Sequence, residues 1–403
     1  MAAIDDSTCY VCREDALRAS EHHLEQAKAL HRVHPVCDGH NDLPWCMRCM
    51  DSAKGEVRLN GWDLEKNHGG IAYEGPRHGC LHTDLARLRE GGVGWQFWSV
   101  YVPVSYDGHI AVSATLEQID WVKRLAEKYP HRLRLASSAD DVERCFEKGL
   151  IASMLGVEGG HQMNKSLSVL RMYYELGVRY MTLTHNATTQ WADPACHYVD
   201  GQLEFLDESP LRGLTAYGEK VVWEMNRLGM LVDLSHVHPA TMRAAIKASR
   251  APVIFSHSSS RAICDHPRDV PDDVLTQVKA NGGLVMVTFV SDFVAGKFWV
   301  SGGQVGATVV EVADHVEHVR DLAGVDHIGL GGDYDGCASL ARGLEDVSGY
   351  PNLTAELLFR GWSEADVAKV LSGNALRVMR GAEAVRDAMR AEGALPCEAR
   401  FDD

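Results

Sequence analysis

No stretch of this 403-residue chain is apolar for long enough to span a bilayer. The N-terminal residues 1–6 are acidic and carry no apolar run, so they do not read as a secretory signal. The polar residues 398–403 lack a lipid-anchor tail. A soluble, cytoplasmic protein without a membrane anchor is expected. Positive charge is in deficit: 40 Lys and Arg against 56 Asp and Glu leave a net charge of −16. Such a chain repels nucleic acid phosphates and anionic lipid surfaces, so no nucleic acid partner is expected. There is no internal repeat and no low-complexity tract. Nor is there a Gly-rich phosphate turn after the first strand-like segment, where an open doubly wound sheet usually carries one. An odd count of 11 Cys argues against a disulfide scaffold. The CxxC spacings Cys9/Cys12 and Cys46/Cys49 are read as coincidental rather than as a further metal centre.

What the chain does have is alternation. With 45% hydrophobic and 24% charged residues, its composition is ordinary for a globular protein with a large core. Apolar, β-branched runs at Val33–Val36, Gln96–Val102, Ile151–Val157, Arg179–Thr184, Met230–Leu234, Val253–Ser256, Leu284–Phe289 and His327–Leu330 read as strands. Most are continuous rather than alternating, as expected for strands covered on both faces. Helical patterns lie between them. One starts at Ser209-Pro210 and stops at Gly229; others cover Pro239–Ala248, Pro271–Ala280 and Thr308–Leu322. The pattern favours a (β/α)8 TIM-like barrel with additional N- and C-terminal helices over an open sheet. Residues 1–30 read as an N-terminal helical extension, 31–395 as the barrel domain and 396–403 as a polar tail. C-terminal helices are expected near Ser363–Leu371 and Ala375–Ala391, and Cys46–Arg77 as a long first βα loop.

Barrel active sites sit at the C-terminal ends of the strands. In order, those ends carry His40 and Asp42, then Glu158, His185, His236, His257, and Asp333 with Asp335. Such a set suits zinc or a similar divalent metal, and it exceeds the three protein ligands of a mononuclear catalytic zinc. Two ions with a bridging carboxylate fit the count better, and such a pair generates a bridging hydroxide near neutral pH. Other residues stay with bland readings. His315 and His318, spaced i,i+3, read as a solvated helix face; His22, His23, His131 and His161 have no strand-end context. Trp95, Phe97, Trp98 and Tyr101 read as barrel core.

These segments resemble the membrane (renal) dipeptidase family of zinc metallopeptidases, in the amidohydrolase-like barrel group. The resemblance runs from about Val33 to Met379. It rests on Asp38-Gly-His-Asn-Asp-Leu-Pro-Trp45, Gln96-Phe-Trp-Ser-Val-Tyr101, Gly156-Val-Glu-Gly-Gly160, Leu183-Thr-His-Asn186, Asp233-Leu-Ser-His236, Val253-Ile-Phe-Ser-His-Ser-Ser259, Gly331-Gly-Asp-Tyr-Asp-Gly336 and Gly343-Leu-Glu-Asp-Val347. It implies two Zn2+ per chain, one held by His40 and Asp42, the other by His236 and His257, with Glu158 bridging. It implies His185 at the substrate and its oxyanion, Arg268 on the substrate's terminal carboxylate and Asp333 as the proton shuttle. Arg261 competes for the carboxylate and Asp335 for the proton. The implied substrate is a small dipeptide, of the L-Xaa-D-Xaa or Cys-Gly type in some relatives, and the implied assembly a homodimer. Without a leader or anchor, the chain resembles the soluble bacterial and fungal members in type. Two alternatives stay open: an amidase for cyclic amides, β-lactams or N-acyl amino acids, and a non-catalytic metal-binding barrel.

Overall fold

The computed structural model describes residues 17–50, 62–69, 72–73, 79–199, 202–295 and 306–401. Cys9, Cys12 and much of the Cys46–Arg77 segment lie outside them. Eight parallel strands close into a barrel: β1 (Val36–Asn41), β2 (Val93–Tyr101), β3 (Ile151–Glu158), β4 (Val178–Thr182), β5 (Leu231–Asp233), β6 (Ile254–Phe255), β7 (Leu284–Val287) and β8 (Ile328–Leu330). Each pairs with its sequence neighbour, and β8 closes on β1 through Asp38 and Leu330. This is the (β/α)8 architecture. The continuous apolar runs are explained by burial on both sides. Trp95, Phe97, Tyr180 and Met286 fill the barrel interior. Trp98, Val100, Leu155 and Val157 face the surrounding helices.

Helices follow the strands around the ring. Gly108–Lys128 follows β2, Leu167–Glu175 follows β3, and Ala216–Leu228 follows β4. Pro239–Ala248, Asp272–Asn281, Val309–Ala323 and Tyr350–Phe359 follow β5 to β8. Helix Asn374–Ala391 closes the barrel floor: Ala375, Val378 and Met379 join the interior cluster of Trp95 and Leu284. Asn374 fastens it by donating to the Val325 and Ile328 carbonyls at 2.7 and 2.8 Å.

Several expectations shift. Val33 is not in a strand; it ends helix Glu21–Val33 and is 72% exposed. The first strand therefore starts at Val36 and carries His40 itself. The helix expected from Ser209-Pro210 begins at Ala216, where the Thr215 side chain caps Gly218 N. Ser209 instead donates to Asp193 at 2.5 Å. The first βα segment opens with a helix, Leu43–Met50. The C-terminal segment is not a bare polar tail: Cys397 N donates to Glu224, and the Phe401 ring meets Tyr217 edge-on. Several elements have no counterpart in the sequence reading, among them the helices Gly108–Lys128, Leu167–Glu175 and Tyr350–Phe359. Leu133–Leu135 adds a short strand beside β3, and an antiparallel hairpin of Cys196–Val199 and Gln202–Phe205 follows β4.

Candidate metal centre

A β-bulge in β1 aims the first ligand. From Asp38 to Asn41, β1 spends three steps against the two from Gln96 to Trp98 in β2. The extra residue breaks the alternation and re-aims His40. Asp38 points away from His40 and holds the strand end: it accepts from Gly332 N at 3.0 Å, His40 N at 3.2 Å and Gln96 Nε2 at 3.0 Å. Glu158 is the last residue of β3. His185, His236, His257 and Asp333 follow the ends of β4, β5, β6 and β8. His236, Asp333 and Asp335 all adopt positive φ, at 68°, 59° and 61°. Strained backbone of this kind gathers at functional sites.

These side chains converge on one carboxylate oxygen. Glu158 Oε1 lies 2.9 Å from His236 Nε2 and 3.6 Å from the Nε2 atoms of His40, His185 and His257. His40 Nε2 is 3.3 Å from Asp42 Oδ2, and His236 and His257 bring their Nε2 atoms to 3.0 Å. Candidate ligand atoms of His40, Asp42 and Glu158, of Glu158, His185 and His236, and of His40, His257 and Asp333 lie within 4.8 Å of one another. The structure thus brings together every metal ligand expected from the sequence, with His185 and Asp333 beside them.

A second layer fixes the tautomers. His40 Nδ1 donates to the Tyr180 hydroxyl at 2.9 Å, which itself donates to Gly39 O at 3.2 Å. His257 Nδ1 donates to Ser256 Oγ at 2.8 Å, and Ser256 donates to Asp233 Oδ2 at 2.7 Å. Asp233 also accepts from Thr182 Oγ1 at 2.5 Å. His236 Nδ1 lies 3.1 Å from Asn186 Oδ1. Each Nδ1–H is spent outward, which leaves the Nε2 lone pairs directed inward, as metal-ligating histidines require. Lone pairs aimed at a carboxylate and at each other repel unless a cation lies between them. His40 Nε2 is buried between two carboxylates, 3.3 Å from Asp42 Oδ2 and 3.6 Å from Glu158 Oε1. Burial disfavours charge on His40, yet Tyr180, Glu158 and Asp42 raise its pKa well above the ordinary value, so positive charge, a proton or a metal ion in its place, is favoured at Nε2. The donor set therefore fits a divalent metal.

The site opens into a cavity of about 680 Å3 lined by Glu158, His236, Arg268 and Asp333. Arg268 is 3% exposed and makes no ion pair among the described residues. Its guanidinium stands 5.1 Å from the centre of the Phe293 ring, with Nη1 3.4 Å from Ser258 Oγ. Arg261, its rival, lies off the cavity and pairs with Asp265 at 3.0 Å. Asp335 also turns away: it accepts from His82 N at 2.8 Å, and burial pushes its pKa up to about 7. A side chain on Gly336 would strike Asp42 Oδ2 and Asp333 Oδ1, so a glycine lets those carboxylates approach.

Two bland readings are corrected. Tyr101 is not core; its ring lies 4.8 Å from that of His185. His315 is not on a solvated face but fully buried. Its Nδ1 accepts from Ser260 N and its Nε2 donates to Val294 O, both at 2.9 Å. The sequence offers no signal for Tyr180, Asp233 or Ser256 beyond the motifs that contain the last two.

The membrane dipeptidase family model, peptidase family M19, matches residues 24–393. This chain belongs to that family. Dipeptidase 3 of Mus musculus is 43% identical over 380 residues, 94% of this chain and 70% of that protein. Dipeptidase 3 of Rattus norvegicus is 44% identical, with 94% and 71% covered. A solved structure described as dipeptidase AC, an M19 metallopeptidase, shares 25% identity and a TM-score of 0.72, covering 86% of this chain and 98% of that one. A Rhodobacter sphaeroides metallopeptidase liganded with a phosphinate mimic of L-Ala-D-Ala shares 24% identity and a TM-score of 0.71, covering 86% and 99%. The chain is thus a metallopeptidase of the dipeptidase type. The expected likeness to soluble microbial members came from the termini alone; identity to the mammalian relatives is higher than to these two solved structures.

Proposed function

We propose that the chain is a binuclear zinc dipeptidase that hydrolyses the amide bond of dipeptides with a free C-terminal carboxylate. His40 and Asp42 would hold one ion, His236 and His257 the other, and Glu158 would bridge them. Bound there, the ions supply an activated water and an electrophile for the scissile carbonyl. The protein's own residues do the rest. Arg268 presents a planar fork to the substrate carboxylate. Asp333 accepts a proton from the attacking water and delivers it to the leaving amine. His185 donates a hydrogen bond as charge develops on the carbonyl oxygen.

The observation that carries this reading is Arg268: a buried guanidinium without an ion pair, in the cavity that holds the carboxylate–imidazole cluster. Burial of a charge without a counter-ion is costly, and a substrate carboxylate removes that cost. The test is a hydrolysis assay with unblocked dipeptides, L,L and L,D, with and without chelator. Activity should vanish on chelation, return with zinc, and track close to two metal equivalents per chain. One equivalent at full activity, or hydrolysis of N-acyl amino acids and cyclic amides in preference to dipeptides, overturns the reading.

A further inference from the structure

The hairpin after β4 pairs Tyr198 with Leu203 and Cys196 with Phe205. Paired residues and residues two apart share a face, so these four form one apolar side of the ribbon. His197, Gln202 and Glu204 take the other side, with Val199. Cys196 is buried, but the rest of the apolar side is not covered by core: Tyr198, Leu203 and Phe205 remain 50%, 46% and 52% exposed. All three line the cavity shared by Glu158, His236, Arg268 and Asp333. A two-stranded ribbon is marginal by itself, and an apolar surface left open onto a catalytic cavity marks a ligand contact.

The wall continues from the hairpin to the arginine. The Phe205 ring meets His266 edge-on at 5.3 Å, His266 lies 4.5 Å from Phe293, and Phe293 carries the Arg268 guanidinium at 5.1 Å. A carboxylate and a side chain leave the same Cα of the C-terminal residue, so a carboxylate on Arg268 brings that side chain against this wall. We infer that the face formed by Tyr198, Leu203, Phe205 and Phe293 is the subsite for the C-terminal side chain, and that it selects bulky apolar or aromatic residues. The inference rests on the role given to Arg268 above.

The test is kcat/KM along the series Gly-Gly, Gly-Ala, Gly-Leu and Gly-Phe, in both enantiomers of the second residue, with zinc-loaded protein. Burying a Leu or Phe side chain should raise it about ten- to hundredfold over Gly-Gly in the accepted enantiomer. In Leu203→Ser and Phe205→Ser the ratio of kcat/KM for Gly-Phe to that for Gly-Gly should fall several-fold, whatever the absolute rates. A flat wild-type series overturns the inference without any variant, even if a variant misfolds. Retention of the Phe advantage in both variants overturns it too, as does a change of oligomeric state with an unchanged series, which would assign the face to a second copy. Failure to hydrolyse any of the four dipeptides instead removes the dipeptidase reading on which the inference stands.

Discussion

The Tyr180 ring occupies the space that a side chain on Gly156 would need. A β-carbon there would sit 2.0 Å from Tyr180 Cζ. The glycine on β3 thus lets the tyrosine on β4 reach across the barrel to His40 Nδ1. In Gly156→Ala the ring must move and the hydroxyl must leave the histidine. Loss of such a partner costs about ten- to hundredfold in metal affinity or activity. Zinc competition against a chromogenic chelator should show that loss. Wild-type affinity in the variant would mean that Tyr180 does not orient His40.

Asp333 and Asp335 are neighbours in sequence with different surroundings. Asp333 lines the cavity, while Asp335 is bound to the backbone of His82. Asp333→Asn should lower turnover by about two to four orders of magnitude, the usual worth of general acid–base catalysis, with metal content unchanged. Loss of a metal equivalent in this variant would make Asp333 a ligand and leave the proton transfer to another group.

His315 ties together two walls of the cavity. Ser260, its donor, pairs with Val270 across the loop that carries Arg268, and Val294, its acceptor, follows Phe293. His315→Phe fills the volume but removes both bonds. The free-acid preference should fall and kcat/KM should drop roughly ten- to hundredfold, as expected for a misplaced clamp. His315→Gln, which retains an acceptor and a donor, should recover most of it. Equal losses in both variants with an unchanged free-acid preference would reduce His315 to a packing residue.

His31 links the N-terminal helix to the barrel. Its Nδ1 donates to Gly91 O at 3.0 Å and its Nε2 accepts from Thr354 Oγ1 at 2.8 Å. Burial pushes its pKa down from 6.5 to about 4. Below the ordinary value the unfolded chain binds a proton that the folded chain refuses. The contribution is therefore complete above the unfolded pKa and declines as pH falls from about 6.5 toward 4, by up to roughly 3 kcal/mol. Melting curves at about pH 7.5 and pH 5 should show a smaller acid-induced drop in Tm for His31→Gln than for wild type. Equal drops would place the acid sensitivity elsewhere.

The eight barrel strands were legible because burial on both faces writes continuous apolar runs. Their ends were not, because only closure decides where pairing stops: Arg179–Thr184 shrinks to Val178–Thr182. Leu133–Leu135 escaped notice since only Leu133 is buried. The hairpin escaped because its apolar side faces a cavity rather than core. The metal ligands were legible as His, Asp and Glu at strand ends. Tyr180 and Asp233 lie within strands, where composition does not separate a ligand's support from ordinary core. His315 shows the same limit on a helix: i,i+3 spacing with His318 does not say which of the two faces inward.

The most direct measurement is kcat/KM for a dipeptide and for its C-terminal amide, in wild type and in Arg268→Met. A charge-assisted contact in a desolvated site is worth about 1.5–3 kcal/mol, so wild type should prefer the free acid roughly ten- to hundredfold. In the variant the two substrates should become nearly equal, because the amide never used the guanidinium. A variant that still prefers the free acid as strongly as wild type would contradict the account.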